Sequence, residues 1–224
     1  MHEDVALLTE IDSSGRTTGR LRCAPQLIPA PGQYLLAWAE SDPAAPLATP
    51  IFSAGVCPGG FALASSLPVS WQPGMQLHIR GPFGKGLQLP ATARFVALVS
   101  LGSDALRLLA LTEAILAQRA ALVLLTDRPP EGLPAAIEIS RISALAETAR
   151  WADYIAADLP RAVLPSFLRI LAGASYHGEG QVLVETALPC GGMADCGVCA
   201  VSLRKGHQLT CKDGPVFNLK TLYE

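Results

Sequence analysis

The chain has 224 residues, of which 50% are hydrophobic and only 16% are charged, and its formal net charge is −2. This length suits one large domain or two small ones. The apolar composition excludes a disordered chain, and the lack of a basic excess argues against a nucleic-acid-binding protein.

The first 90 residues are predicted to form short β-strands. Glycine and proline recur at short intervals, and apolar runs such as those at 34–38 and 77–79 lie between them. Short strands separated by turn residues of this kind are typical of a small barrel or sandwich.

From about residue 91 the pattern changes to alternating strands and helices. Residues 94–99 form a continuous apolar run, as expected for a strand buried on both faces, and Ser103 is placed to cap a helix over 106–117. The later predicted elements are strands at 121–125, 137–142, 153–157 and 181–185, a helix at 143–150, and a helix at 160–172 that contains Pro165. Strands that alternate with helices predict a parallel α/β sheet.

No segment has the pattern of a membrane span or a leader. The longest apolar stretch, Ala105 to Leu125, is interrupted by Arg107, Glu113, Gln118 and Arg119, whereas a spanning helix needs roughly 20 mostly uninterrupted apolar residues. The first residues lack the basic-then-apolar pattern of a secretory signal. We therefore expect a cytoplasmic protein without a membrane-inserted segment.

Four of the six cysteines are concentrated near the C-terminus. Cys190, Cys196, Cys199 and Cys211 have the spacing C-x5-C-x2-C-x11-C, with glycines between the first three. Disulfides are rare in the cytosol, and a plant-type [2Fe–2S] cluster uses C-x4-C-x2-C and a distant fourth cysteine. This spacing predicts a [2Fe–2S] cluster. Structural zinc is the alternative, although zinc usually takes two C-x2–4-C pairs and this chain has one.

Three motifs carry a resemblance to a known family. The cluster segment ends in Cys-Lys-Asp-Gly-Pro-Val-Phe at 211–217, and the first half contains Pro-Gly-Gln-Tyr at 31–34 and Gly-Pro-Phe-Gly-Lys-Gly-Leu at 81–87. With these motifs, the chain resembles the iron–sulfur electron-transfer subunit of class B dihydroorotate dehydrogenase, in the ferredoxin-reductase superfamily. The resemblance implies a flavin-domain-like β-barrel at 1–90, a nucleotide-domain-like α/β domain at 91–186, and a [2Fe–2S]-binding segment at 187–224.

In the family, FAD lies between the first two domains and is held by an Arg-Pro-x-Ser motif. Thr49 stands at the arginine position here, and threonine cannot offer a phosphate the bidentate fork of arginine. The family's Gly-x-Gly-Thr segment is shortened. The resemblance leaves FAD binding open, with these candidate contacts: Thr49, Pro50, Ile51, Ser53, Ser65 and Ser66.

The family's nicotinamide motif is also altered. Of the glycine run after the first α/β strand, Gly102 remains, and Asp104 places a negative charge where a phosphate would lie. Asp127, at the end of the second α/β strand, is the candidate ribose contact. We do not expect NAD binding.

The resemblance therefore implies an electron-transfer subunit with no substrate chemistry of its own. Its expected partner is a dihydroorotate dehydrogenase catalytic subunit of pyrimidine biosynthesis, or another flavoprotein, in a hetero-oligomer that docks around Met193 and Val198. Two alternatives remain. The first alternative is a non-enzymatic scaffold or regulatory subunit with structural zinc. The second is a flavin reductase with diverged motifs.

Overall fold

The computed structural model describes residues 2–12, 18–40, 42, 47–64, 67–102, 105–203 and 206–222. Three short 3₁₀ helices, Pro25–Leu27, Ile142–Ala144 and Arg161–Val163, accompany the strands and α-helices given below.

The first half forms a closed, six-stranded antiparallel barrel. Its strands are β1 (His2–Asp12), β2 (Thr18–Arg22), β3 (Tyr34–Trp38), β4 (Thr49–Cys57), β5 (Gly60–Leu63) and β6 (Gln76–Phe83), in the order β1-β2-β5-β4-β3-β6. Because side chains alternate along a strand, Leu35 of β3 packs inside the barrel while Tyr34 and Leu36 pack against the second half. The predicted barrel is confirmed.

The second half is built on a six-stranded sheet. In chain order, the strands and helices of this half are β7 (Phe95–Ser100), α1 (Leu106–Leu109), α2 (Thr112–Ala117), β8 (Ala121–Leu125), β9 (Ile137–Ser140), α3 (Leu145–Trp151), β10 (Tyr154–Pro160), α4 (Leu164–Gly173), β11 (Glu179–Glu185), β12 (Ala200–Ser202), β13 (His207–Leu209), β14 (Val216–Asn218) and α5 (Leu219–Leu222). Strands β12 and β13 pair with each other, outside the six-stranded sheet. The sheet order is β14-β11-β10-β7-β8-β9, with β14 antiparallel to β11 and the other neighbours parallel. The predicted parallel α/β sheet is confirmed.

Two predicted helices differ in detail from the observed ones. The helix over 106–117 is divided into α1 and α2, because the Leu111 N–H bonds to the Leu108 carbonyl, three residues earlier, and tightens the chain between them. Pro160 ends β10 rather than starting a helix. Pro165 lies in the first turn of α4, where its missing N–H has no helical partner to lose. Ser103, the predicted cap, and Asp104 lie outside the described residues.

No helix among the described residues is long and apolar enough to cross a membrane. The predicted domain limits at residues 90 and 186 stay predictions.

The three family-like motifs meet at one interface between the barrel and the sheet. The Lys85 N–H donates to the Gly214 carbonyl at 2.8 Å, and the Leu87 N–H donates to the Pro31 carbonyl at 2.7 Å. Gly84 lies so close to the C-terminal motif that a Cβ on it would be 2.4 Å from Pro215 Cδ. These motifs therefore join the barrel to the C-terminal segment.

Candidate iron–sulfur site and the adjoining cleft

The cysteine-bearing loop runs between β11 and β14, two paired strands of the sheet. Gly191, Gly192 and Gly197 have φ of 62°, 78° and 69°, and Ala194 also has a positive φ of 62°. Glycine adopts this left-handed backbone without a steric penalty, and such turns direct successive N–H groups to one side. The loop therefore turns tightly between its cysteines.

The structure places the four predicted ligands in two neighbouring pairs. Cys199 Sγ lies 3.4 Å from Cys211 Sγ, and both residues are buried. Cys190 and Cys196 are hydrogen-bonded to each other nearer the surface. The two pairs are close enough for a negative charge on Cys190 to raise the pKa of Cys211. All four are free thiols. Within the described ranges, no group of three or more His, Cys, Asp or Glu side chains converges on one point as ligands of a single metal ion.

In each pair, the surroundings of one thiol lower its pKa and so favour the thiolate. The backbone N–H of Asp195 and the side chain of Cys196 donate to Cys190 and lower its pKa to about 6. Burial opposes ionisation of Cys199, but hydrogen bonds from Cys211 and Thr210 outweigh it and lower the pKa of Cys199. Burial and the neighbouring Cys199 raise the pKa of Cys211 to about 11. Thiolates are the form that binds metals, and a bound cation deprotonates a coordinating thiol.

Three side chains from outside the loop hold its carbonyl groups. The Tyr34 hydroxyl donates to the Cys211 carbonyl at 3.5 Å, and Arg80 Nη2 donates to the Gly191 carbonyl at 3.4 Å. Arg161 Nη1 donates to the carbonyls of Val198 and Ala200, at 2.7 and 2.8 Å. None of these contacts was predicted, because the donors lie far from the cysteines in sequence.

A cleft of about 410 Å³ separates the barrel from the sheet beside this loop, and Tyr34 lines it. Arg107 of α1 enters the cleft. Its guanidinium makes two hydrogen bonds to Asp158, at 2.7 and 2.9 Å, and a third to Glu185 at 2.9 Å. It also lies 5.0 Å from the centre of the Phe52 ring. Burial opposes the charge of Arg107, but the two carboxylates outweigh burial and raise its pKa.

The Arg107 ion pairs were also missed at the sequence level. A single arginine in the apolar run of α1 and a single aspartate in the apolar run of β10 are the signal that could have indicated them. Charged side chains are rarely buried unless they are paired.

The candidate FAD residues occupy different environments. Thr49 and Pro50 line the cleft, but the Ile51 side chain is fully buried in the barrel core. Ser53 is buried, and its hydroxyl accepts the Gly55 N–H at 3.1 Å. Ser65 and Ser66 lie outside the described residues.

The described lining of the cleft offers no free cation to the diphosphate of FAD. Its one guanidinium, Arg107, is already paired with two carboxylates. The thiol pairs, by contrast, supply the four sulfur donors that an iron–sulfur cluster needs.

The candidate NAD residues are not brought together by any contact within the described chain. Gly102 lines the cleft with a φ of 79°. Asp127 is exposed, and its carboxylate accepts the Ile142 N–H at 3.4 Å, a contact between the ends of β8 and β9.

Comparison with known proteins supports the resemblance at two levels. Residues 185–223 match the family described as the iron–sulfur cluster binding domain of dihydroorotate dehydrogenase B. A relative from Thermoplasma acidophilum, the probable dihydroorotate dehydrogenase B (NAD(+)) electron transfer subunit, is 23% identical over 206 residues, which cover 86% of this chain and 80% of the relative.

Solved structures show the fold. The NADH-dependent reduced ferredoxin-NADP oxidoreductase superimposes with a TM-score of 0.76 at 14% identity and covers 98% of this chain and 90% of its own. The ferredoxin reductase of carbazole 1,9a-dioxygenase superimposes with a TM-score of 0.60 at 17% identity, over 79% of this chain and 64% of its own. The chain therefore carries a C-terminal segment that matches the iron–sulfur cluster binding domain of dihydroorotate dehydrogenase B, on a ferredoxin-reductase-like fold.

Proposed function

We propose that this chain is an electron-transfer subunit that holds a [2Fe–2S] cluster on Cys190, Cys196, Cys199 and Cys211. It exchanges single electrons with a flavoprotein, and the family points to a dihydroorotate dehydrogenase catalytic subunit of pyrimidine biosynthesis as that partner. When bound, the cluster supplies a centre that takes up and releases one electron.

The arrangement of the four thiols in two pairs carries this proposal. A structural zinc ion needs four ligands around one point, whereas a binuclear cluster needs two thiolates on each of two irons. The pair Cys199–Cys211 and the pair Cys190–Cys196 suit the second requirement. The site therefore favours iron–sulfur binding over the zinc-stabilised scaffold.

The exposure of the loop supports transfer to an external partner. Cys196 is exposed, and the apolar side chains of Met193 and Val198 beside it are 70% and 44% exposed. The loop thus places two exposed apolar side chains next to the outer thiol pair, where the proposed partner would dock.

The proposal assigns no flavin to this chain. The paired state of Arg107 and the threonine at position 49 leave the described cleft without a free cation for a diphosphate. Electrons would then enter and leave through the cysteine loop.

Metal and sulfide analysis of anaerobically purified protein tests the proposal. We expect about two iron and two acid-labile sulfide ions per chain, with a paramagnetic signal after reduction. Replacing Cys199 with serine should remove most of the iron and the signal. Cys57→Ser is the matched control, because Cys57 lies in the barrel, and it should leave both unchanged.

Two other results would overturn the assignment. One zinc ion per chain, with no sulfide, would support the scaffold. Bound FAD that is bleached by NADH, in a protein without iron and sulfide, would support a flavin reductase.

A further inference from the structure

We propose that Arg80 and Arg161 form a cationic clamp that holds the cysteine loop and raises the reduction potential of the cluster. This inference rests on the function proposed above and assigns roles to two residues outside the cluster-binding domain. Both are positioning residues that act on the loop through its carbonyl groups.

Arg161 holds the backbone on both sides of one buried cysteine. It begins the 3₁₀ helix that follows β10, and its Nη1 donates to the carbonyls of Val198 and Ala200, which flank Cys199. Hydrogen bonds from a charged donor are about twice as strong as neutral ones. Arg161 therefore fixes the peptide groups that orient Cys199 and brings a positive charge to the same place.

Arg80 holds the other end of the loop from the barrel. Its Nη2 lies 3.4 Å from the Gly191 carbonyl, directly after Cys190, and its guanidinium lies 5.6 Å from the centre of the Phe83 ring. Its Nε is buried and has no hydrogen-bond partner among the described residues. Arg80 thus brings a second positive charge beside the outer thiol pair.

Neither clamp arginine forms an ion pair with a carboxylate in the described part of the chain, although Glu3 lies opposite Arg80 across the β1–β6 pair, whereas Arg107 pairs with both Asp158 and Glu185. Among the described residues of the loop, the side chains of Asp195, Lys212 and Asp213 carry charges of both signs. The carboxylate of Asp213 accepts the Leu209 N–H. The arginines therefore shift the balance of charge around the cysteines towards positive.

This charge balance bears on the redox equilibrium. One-electron reduction adds a negative charge to a site whose four thiolates already make it anionic. A nearby positive charge stabilises the reduced state more than the oxidised state, so it raises the potential. The reductant is the reduced flavin of the partner, which gives up one electron per transfer.

Redox titration followed by electron paramagnetic resonance tests the clamp. We expect R80Q and R161Q each to lower the equilibrium constant for reduction about three- to tenfold. A tenfold change equals about 59 mV for one electron. The lysine variants R80K and R161K, which keep the charge, should recover most of the potential.

Arg20→Gln is the control. Arg20 lies on β2, which does not neighbour β3 or β6 in the barrel, and its removal should leave the potential unchanged. If R161Q fails to retain the cluster, R80Q alone tests the clamp. The Arg80 hydrogen bond is longer than that of Arg161, so its loss should disturb the loop less.

The outcomes separate the two proposals. Variants that contain iron and sulfide but keep the wild-type potential would overturn the clamp and leave the electron-transfer function standing. A wild-type protein without iron and sulfide would overturn the function itself.

Discussion

Arg107 shows how one residue can change what a cleft accepts. Its guanidinium is buried and held by a fully buried carboxylate, Asp158, and by the half-exposed Glu185. A guanidinium bound in this way has few donors left for a ligand, and the second carboxylate makes the local charge unfavourable for a phosphate. The cleft is thus stabilised by an internal ion-pair network.

The two carboxylates should contribute unequally to stability. Asp158→Asn leaves Arg107 without its buried partner, and removing one member of a buried pair costs about 3 kcal/mol. Glu185→Gln removes a partner that is 50% exposed and should cost at most about 1 kcal/mol. The free energy of unfolding in urea measures both. Equal losses in the two variants would contradict this difference.

At the scale of the elements, the loop after β6 and the C-terminal motif form a close interface. Gly84, with a φ of 80°, packs against the Gly214–Pro215 backbone, and the Lys85 N–H bonds to the Gly214 carbonyl. The interface allows no side chain at Gly84. The motif at 81–87 therefore serves to seat the C-terminal segment against the barrel.

Gly84→Ala should destabilise the protein by about 2 to 4 kcal/mol, because the new Cβ adds a clash with Pro215 to the strain of a positive φ. Gly74→Ala is the matched control, since Gly74 also has a positive φ, of 92°, but has open space around it. It should cost about 1 kcal/mol, from backbone strain alone. Thermal unfolding compares the two, and similar losses would show that the clash is relieved.

Local patterns predicted the larger elements and missed those that depend on distant partners. Buried strands such as β7 and β8 were predicted from their continuous apolar runs. The three-residue strands β12, β13 and β14 were not predicted, because they are too short to show a period and form only by pairing with a neighbour. The cysteines were recognised from their spacing, but Arg80 and Arg161 reach the loop through tertiary structure, which no local pattern records.

At the scale of the whole molecule, the cysteine loop lies at the surface while the cleft lies between the two halves. The apolar face formed by Met193 and Val198 is therefore available to a partner. The electron path of the proposed function runs through this face.

Charged substitutions on this face should slow electron exchange with the partner. We expect Met193→Glu and Val198→Glu to lower the rate of electron transfer from the proposed partner, a dihydroorotate dehydrogenase catalytic subunit, at least about tenfold, since each would place a charge in the proposed apolar contact. Reduction by dithionite, which needs no docking, should be unchanged. Val69→Glu, at a 98% exposed position of the barrel half, is the control. Unchanged rates with the partner would place its docking site elsewhere.

The pairing of β11 with β14 has a consequence for how the protein matures. The cysteine loop leaves the sheet at the end of β11 and returns to it at β14, so both of its stems are fixed by backbone pairing and by the buried Val182 and Phe217. Backbone pairing and core packing are contributions that do not depend on a metal, so we expect the sheet to form before the cluster is inserted. A cluster-delivery system would then act on a chain whose two loop stems are already in place.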